Sequence, residues 1–180
     1  MIGKDFMNKV ANEKNDFLQS FIDLLDHNRI TFCIIGGLAV NAYAEPVVSL
    51  DLDVVITSEK LDSLISKLKE RYSVERFLNS INVTEKLSDL RIQIQTDPRY
   101  QQFLERASRK SVLGYEIPVA SIEDVFQGKV WAATDETRRP SKRQKDLADI
   151  MRLIEAKEGL VALLPERLKK QLYSDQGRRD

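Results

Sequence analysis

The sequence predicts an α/β fold of the α+β kind: a small mixed sheet flanked by helices, followed by a C-terminal helical subdomain. Three observations carry that reading. Residues 90–95 alternate aliphatic and polar side chains along their whole length, and residues 51–56 begin the same way, which is the period of a strand with one polar face. Residues 30–35 are a short β-rich apolar run that stops at Gly36-Gly37. After Pro118 the apolar period becomes that of a helix and stays so.

Taken in order, residues 5–26 place Phe6, Val10, Phe17, Leu18, Phe21, Ile22, Leu24 and Leu25 on a helical stripe that Asn28 is positioned to end. His27, the only histidine, reads as a helix C-terminal residue interacting with the dipole. Residues 30–35 form the first strand, and 38–44 a two-turn helix ahead of Glu45-Pro46. Residues 51–56 are the second strand, and 58–71 an amphipathic helix with Leu61, Leu64, Ile65 and Leu68 inward. Extended pieces at 74–77 and 81–84 turn at Asn79-Ser80, and the strand 90–95 ends near Thr96-Asp97-Pro98. A short helix over 99–106 precedes a hairpin of 111–113 with 116–119 around Gly114-Tyr115. Ser121 is an N-cap for a helix reaching about Ala133, and 135–141 is a polar connection containing Pro140. Residues 142–157 form a helix with Leu147, Ile150, Met151 and Ile154 inward, broken by Gly159; a last helix covers 160–172 and the end of the chain frays. The core is therefore expected over 1–119 and the helical subdomain over 120–180.

At 180 residues the chain can bury a substantial core. Its 28 basic and 28 acidic residues cancel, so net charge names no partner. Residues 1–105 hold 12 basic and 16 acidic side chains against 16 and 12 in the remainder, a weak polarity in the sense that a metal–triphosphate site between the two parts would need. No long apolar run or leader-like N-terminus is present, which predicts a cytoplasmic protein without a membrane partner. Cys33 is the single cysteine and lies in an apolar strand, as a buried structural thiol does. One His and one Cys are too few for a zinc site or a Ser-His-Asp hydrolase.

The chemistry concentrates between residues 36 and 53. Glycines let backbone approach a phosphate closely, and Asp51 and Asp53, two apart on a strand, project to one face where they can share a divalent cation. Arg91, Gln93 and Gln95 share the polar face of the later strand. If the two strands are neighbours, a polar floor of two carboxylates, an Arg and two amides results. An Asp-x-Asp alone is common where strands begin; its place after a Gly pair gives it weight. The run from Arg138 to Lys145 carries five cations in eight residues, which suits a solvated helix start as well as a phosphate or RNA-backbone contact. Trp131 reads as packing between core and helical subdomain.

These residues resemble the signature of the polymerase-β-type nucleotidyltransferase superfamily: a Gly-Gly or Gly-Ser turn, a short helix, then Asp-x-Asp on a strand. Downstream, the stretches 90–104, 112–133 and 141–151 are similar to AbiEii-type nucleotidyltransferases, a group associated with bacterial toxin–antitoxin and phage-defence systems; the likeness covers roughly residues 30–156. It implies a nucleotidyltransferase-like core that moves a nucleoside monophosphate from a nucleoside triphosphate to a hydroxyl on RNA, protein or a small molecule, with Mg²⁺ or Mn²⁺ as cofactor and a cognate antitoxin as partner. It assigns Asp51 and Asp53 to the metal and to catalysis, and Gly36 and Gly37 to the triphosphate. Lys129 and Lys145, the latter paired in sequence with Asp146, fall to the nucleotide from the helical side.

Two departures accompany it. The turn reads Gly-Gly-Leu where Ser commonly follows the first Gly, which leaves Ser49 as the hydroxyl for a phosphate. Where active members carry a third carboxylate on a neighbouring strand, this chain has Gln93 or Gln95, neither able to take a proton at neutral pH, with Asp97 just beyond. The alternative is therefore a catalytically impaired nucleotide-binding or protein-interaction module with the same fold.

Overall fold

The computed structural model describes residues 3–12 and 16–173. One seven-stranded sheet organises them. Its strands are β1 (Phe32–Ile35), β2 (Asp51–Ile56), β3 (Ser73–Arg76), β4 (Ser80–Thr84), β5 (Arg91–Gln95), β6 (Ser108–Val112) and β7 (Tyr115–Val119), in the order β3-β4-β5-β2-β1-β7-β6. The sheet is mixed, because β2 runs parallel to β5 and β1 parallel to β7, while the other neighbours are antiparallel. The alternation seen in sequence is its cause: Leu52, Val54, Ile92 and Ile94 are fully buried, while Asp51, Asp53, Arg91, Gln93 and Gln95 keep partial exposure on the opposite face.

Helices α1 (Gly3–Val10), α2 (Phe17–His27), α3 (Gly36–Val40), α4 (Leu61–Leu68), α5 (Ile122–Thr134), α6 (Pro140–Ala156) and α7 (Glu166–Tyr173) accompany the sheet. Phe17, Phe21 and Leu25 of α2 and Leu64 and Leu68 of α4 join the apolar strand residues in one core, which continues through Phe126 of α5 to Ile150 and Leu153 of α6. Fully burying one such side chain contributes about 1.5–3 kcal/mol. Cys33 lies in this core, where burial pushes its thiol up to about 12 and removes it from thiolate chemistry at neutral pH.

Several boundaries differ from the sequence expectation, each for a local reason. The stripe over 5–26 is two helices: Asn12 adopts a left-handed φ of 54°, and the Asp16 carboxylate accepts the Gln19 N–H at 2.9 Å to start α2 afresh. The helix expected over 38–44 begins at the Gly pair itself, and residues 41–44 are turns. The segment 58–71 opens with a 3₁₀ turn, Ser58–Lys60, and its α-helix stops at Leu68. Pro140 belongs to α6 as its first residue, where the missing N–H costs nothing. The last expected helix is a 3₁₀ segment, Glu158–Leu163, then α7 beyond Pro165. The hairpin turns one residue earlier than expected, at Leu113-Gly114, whose φ values of 51° and 87° make the mirror-image turn that suits strand twist. The fraying expected of the end of the chain lies outside the described residues.

Candidate active site

Two strands and two helices deliver the polar side chains to one cleft of about 420 Å³, beside the glycine turn that follows β1. From the sheet come Gly36, at the end of β1, with Asp51 and Asp53 of β2 and Arg91, Gln93 and Gln95 of β5. Lys129 of α5, Arg138 in the turn before α6, and Lys142 and Asp146 of α6 supply the opposite wall. Strand register makes the floor: β2 and β5 are neighbours, with Asp51 opposite Arg91 and Asp53 opposite Gln93, while Asp53 also lies opposite Ile35 of β1.

Gly36 is required twice over. Its φ of +69° is strained for any side chain, and a Cβ there would lie 2.2 Å from Asp53 Oδ2. The Gly turn is therefore shaped around the Asp53 carboxylate. Gly37 stands farther back: a Cβ would come 3.8 Å from Asp149 Oδ2 and 4.0 Å from Lys129 Nζ, which places this glycine against the helical wall.

The two carboxylates differ electrostatically. Asp51 accepts from Arg91 Nη2 at 2.7 Å on one oxygen and from Lys142 Nζ at 3.0 Å on the other. Burial pushes its pKa up, but the Lys142 hydrogen bond and the Arg91 charge outweigh it and hold the group below its ordinary value. Asp53 accepts no hydrogen bond and makes no ion pair among the described residues. Burial raises its pKa, the more distant Lys129 offsets part of that, and the Asp51 charge adds to the rise. The same carboxylate, after burial, contributes to pushing the neighbouring Tyr100 hydroxyl up to about 12.

The helical wall of the cleft carries a largely buried ion cluster. Lys129 Nζ sits 3.0 Å from Asp146 Oδ1 and 2.6 Å from Asp149 Oδ2. Arg138 Nε reaches Asp146 Oδ2 at 2.5 Å and Arg152 Nη1 reaches Asp149 Oδ1 at 2.7 Å. Asp146 and Asp149 are both almost completely buried and three apart on α6, so they share a helical face.

The structure thus brings Gly36, Asp51, Asp53, Gln93 and Lys129 to one cleft, with Gly37 just outside its lining. Ser49 is turned away: its hydroxyl donates to the Asp51 carbonyl at 3.2 Å and accepts the Asp51 N–H at 3.3 Å, bracing the start of β2 instead of facing a phosphate. Lys145 is exposed and does not line the cleft. Lys142 takes that place, because it stands four residues before Asp146 on the same face while Lys145 is a residue, about 100° of helix, off it. Asp97 does not supply the missing carboxylate either. It caps the 3₁₀ segment Pro98–Arg106, and the Arg99 guanidinium hydrogen-bonded to it lowers its pKa.

Tyr100 and Thr137 line the cleft without having been singled out as site residues from sequence. Tyr100 was legible only as part of the family-like stretch 90–104. It packs edge-on to Trp131, which in turn stacks on Phe103 at 5.7 Å, so Trp131 is packing between sheet side and helical wall as expected. Asn41 braces the loop to Val47 and receives Arg152 Nη2 at 3.1 Å.

The donor set suits one type of ion. Among the described residues no three His, Cys, Asp or Glu side chains converge as a metal cage. Two adjacent carboxylates, one without a partner, match an oxygen-seeking cation that takes one or two protein carboxylates and completes its shell with water and phosphate oxygens, as Mg²⁺ does.

Solved structures of similar fold agree with this architecture. The antibiotic-resistance factor ANT(2″)-Ia superposes with a TM-score of 0.60 at 13% identity, over 89% of this chain and 93% of that one. The lincosamide antibiotic adenylyltransferase LnuA, solved with lincomycin bound, gives 0.55 at 14% identity over 76% and 95% of the two chains. A putative nucleotidyltransferase from Thermotoga maritima gives 0.52 at 16% identity over 73% and 91%. At these identities the likeness establishes the fold alone. No curated protein sequence matches the chain. The family model described as "Nucleotidyl transferase AbiEii toxin, Type IV TA system" matches residues 16–179, nearly the whole chain. With its polymerase-β-like fold, the protein belongs to the AbiEii nucleotidyltransferase family.

Proposed function

We propose that the protein is a metal-dependent nucleotidyltransferase that transfers a nucleoside monophosphate from a nucleoside triphosphate to a hydroxyl of an RNA, a protein or a small molecule. One observation carries the metal and nucleotide parts of this reading: Asp53, half-buried and beside a second carboxylate, has no hydrogen-bond or ion-pair partner among the described residues and sits against a glycine whose Cβ would clash with it. A buried carboxylate without compensation costs stability, and a ligand that supplies positive charge removes that cost.

Asp51 and Asp53 would hold Mg²⁺ or Mn²⁺, which when bound neutralises charge on the phosphate oxygens. The remaining work belongs to positioning. Arg138, Arg139 and Lys142 line the same cleft and provide point charges for the triphosphate. Gln93, opposite Asp53, can orient an acceptor hydroxyl through its amide but cannot take its proton. The acceptor oxygen attacks the α-phosphorus, the bond to the bridging oxygen of the β-phosphate breaks, pyrophosphate leaves, and the hydroxyl proton passes to water or to the departing pyrophosphate. In keeping with the family's description, we read the protein as the toxin of a toxin–antitoxin pair with a cognate antitoxin as partner. No helix among the described residues is long and apolar enough to cross a membrane.

Incubation with each radiolabelled nucleoside triphosphate, Mg²⁺ or Mn²⁺ and a cell extract should label an acceptor, and Asp51→Ala should remove the labelling. Equal labelling by that variant would sink the assignment. The second reading, a nucleotide-binding module without turnover, is favoured by Gln93 facing Asp53 where a third acid would stand. Calorimetry separates the two: metal-dependent binding of a nucleotide with no labelled acceptor selects the second, and no binding of any of the four rejects both.

A further inference from the structure

The cleft is prepared for a metal–triphosphate complex and against a bare divalent cation. Five cationic side chains line it, Arg91, Lys129, Arg138, Arg139 and Lys142, against three carboxylates, Asp51, Asp53 and Asp146. A surplus of positive charge attracts a polyanion and repels a cation. Moreover, one of the two carboxylates open to a metal is already occupied on both oxygens, by Arg91 at 2.7 Å and Lys142 at 3.0 Å.

The two occupants are not equivalent. Arg91 emerges from the middle of the sheet at the register position opposite Asp51, so its backbone is held beside that carboxylate by the strand pairing even though its side chain is 41% exposed. Lys142 stands in the first turn of α6 at the cleft mouth, about one-third exposed, on a flexible four-carbon stem. Among the described residues Asp51 is the only hydrogen-bond partner of its ammonium. Arg139, exposed beside it, lines the same mouth.

We propose that Lys142 is an exchangeable stand-in for the metal: it occupies Asp51 in the nucleotide-free protein and passes to the triphosphate when a metal–triphosphate complex arrives. Metal and nucleotide then bind as one unit, and metal alone binds poorly. This rests on the reading of the cleft as a metal–triphosphate site. Its consequence is a sign reversal that a merely structural lysine would not give: removing Lys142 helps the bare metal and harms the metal–triphosphate complex.

The test uses Mn²⁺ and inorganic tripolyphosphate, which carries no base and so needs no knowledge of the preferred nucleotide. Protein-bound Mn²⁺ is followed by water-proton relaxation on the full chain at fixed ionic strength, for wild type, Lys142→Met and Lys142→Gln. Both variants should bind Mn²⁺ alone about threefold to tenfold more tightly than wild type, the scale of a partly buried ion pair. Both should hold Mn²⁺–tripolyphosphate more weakly than wild type. Unchanged or weaker binding of Mn²⁺ alone, with the tripolyphosphate complex still bound by wild type, overturns the exchange while leaving the site reading intact. If wild type binds neither form, the site reading falls and the inference with it.

Discussion

Two pairs of aspartates, one on β2 in the floor of the cleft and one on α6 in its helical wall, are treated in different ways. On α6, Asp146 contacts Lys129 and Arg138, and Asp149 contacts Lys129 and Arg152, all within a nearly buried cluster. On β2, Asp51 has two cations and Asp53 has none among the described residues. Both pairs come from the same geometry, residues that share one face of an element, with the α6 pair almost completely buried and the β2 pair partly so. The difference is completion. A buried carboxylate whose charges are matched within the chain fixes the relation of α5 to α6. One left unmatched keeps a position open for a charge from outside.

The largest test of that contrast is Lys129→Met. It leaves two buried carboxylates short of their shared cation, and breaking one side of such a pair costs about 3–5 kcal/mol. Urea denaturation should show this loss of unfolding free energy, and a variant as stable as wild type would mean that the cluster does not hold the wall together. A smaller loss is expected for Gly36→Ala, about 1–3 kcal/mol from its left-handed backbone, together with displacement of Asp53 and loss of Mn²⁺–nucleotide binding. Retained binding at wild-type affinity would show that Asp53 is not shaped by the turn.

The third test uses pH. Because Asp53 has a raised folded-state pKa, it favours the folded protein most fully below the unfolded carboxylate value, and that contribution disappears as pH rises through its folded value. Asp51 has a lowered one, so its contribution is present above the unfolded value and disappears as pH falls through the folded value. Asp53→Asn should therefore gain stability relative to wild type as pH is raised from the ordinary carboxylate range toward neutrality, and Asp51→Asn should lose it. Parallel curves for the two variants would erase the distinction between them. Smallest is Lys145→Ala: outside the cleft and exposed, it should change stability by less than about 0.5 kcal/mol and leave nucleotide binding unmoved. A clear loss of binding would restore Lys145 in place of Lys142.

Much of this site was legible in sequence because its parts lie on short, periodic elements. Asp51 and Asp53 on one strand, with Arg91, Gln93 and Gln95 on another, declare a shared polar face through alternation alone, and the Gly pair marks the turn beside them. What misled were positions where a side chain has a local alternative. Ser49 was read as a phosphate donor, but its hydroxyl closes on the Asp51 backbone two residues away, as serine often does near a strand start. Lys145 was chosen for its neighbour in sequence, whereas the helix selects by face and presents Lys142.

By itself, the sequence determined the strands, the sides of them that are polar, and the presence of two carboxylates after a Gly pair, because a period of two and a Gly-specific backbone are properties of the chain within a few residues. Tertiary structure alone decided that β2 and β5 lie side by side, that Lys142 reaches Asp51 across 91 residues of chain, and that Asp53 is left without a partner among the described residues. Those outcomes depend on which charges meet after folding, and electrostatic pairing acts over ångströms in space, where separation along the chain has no bearing.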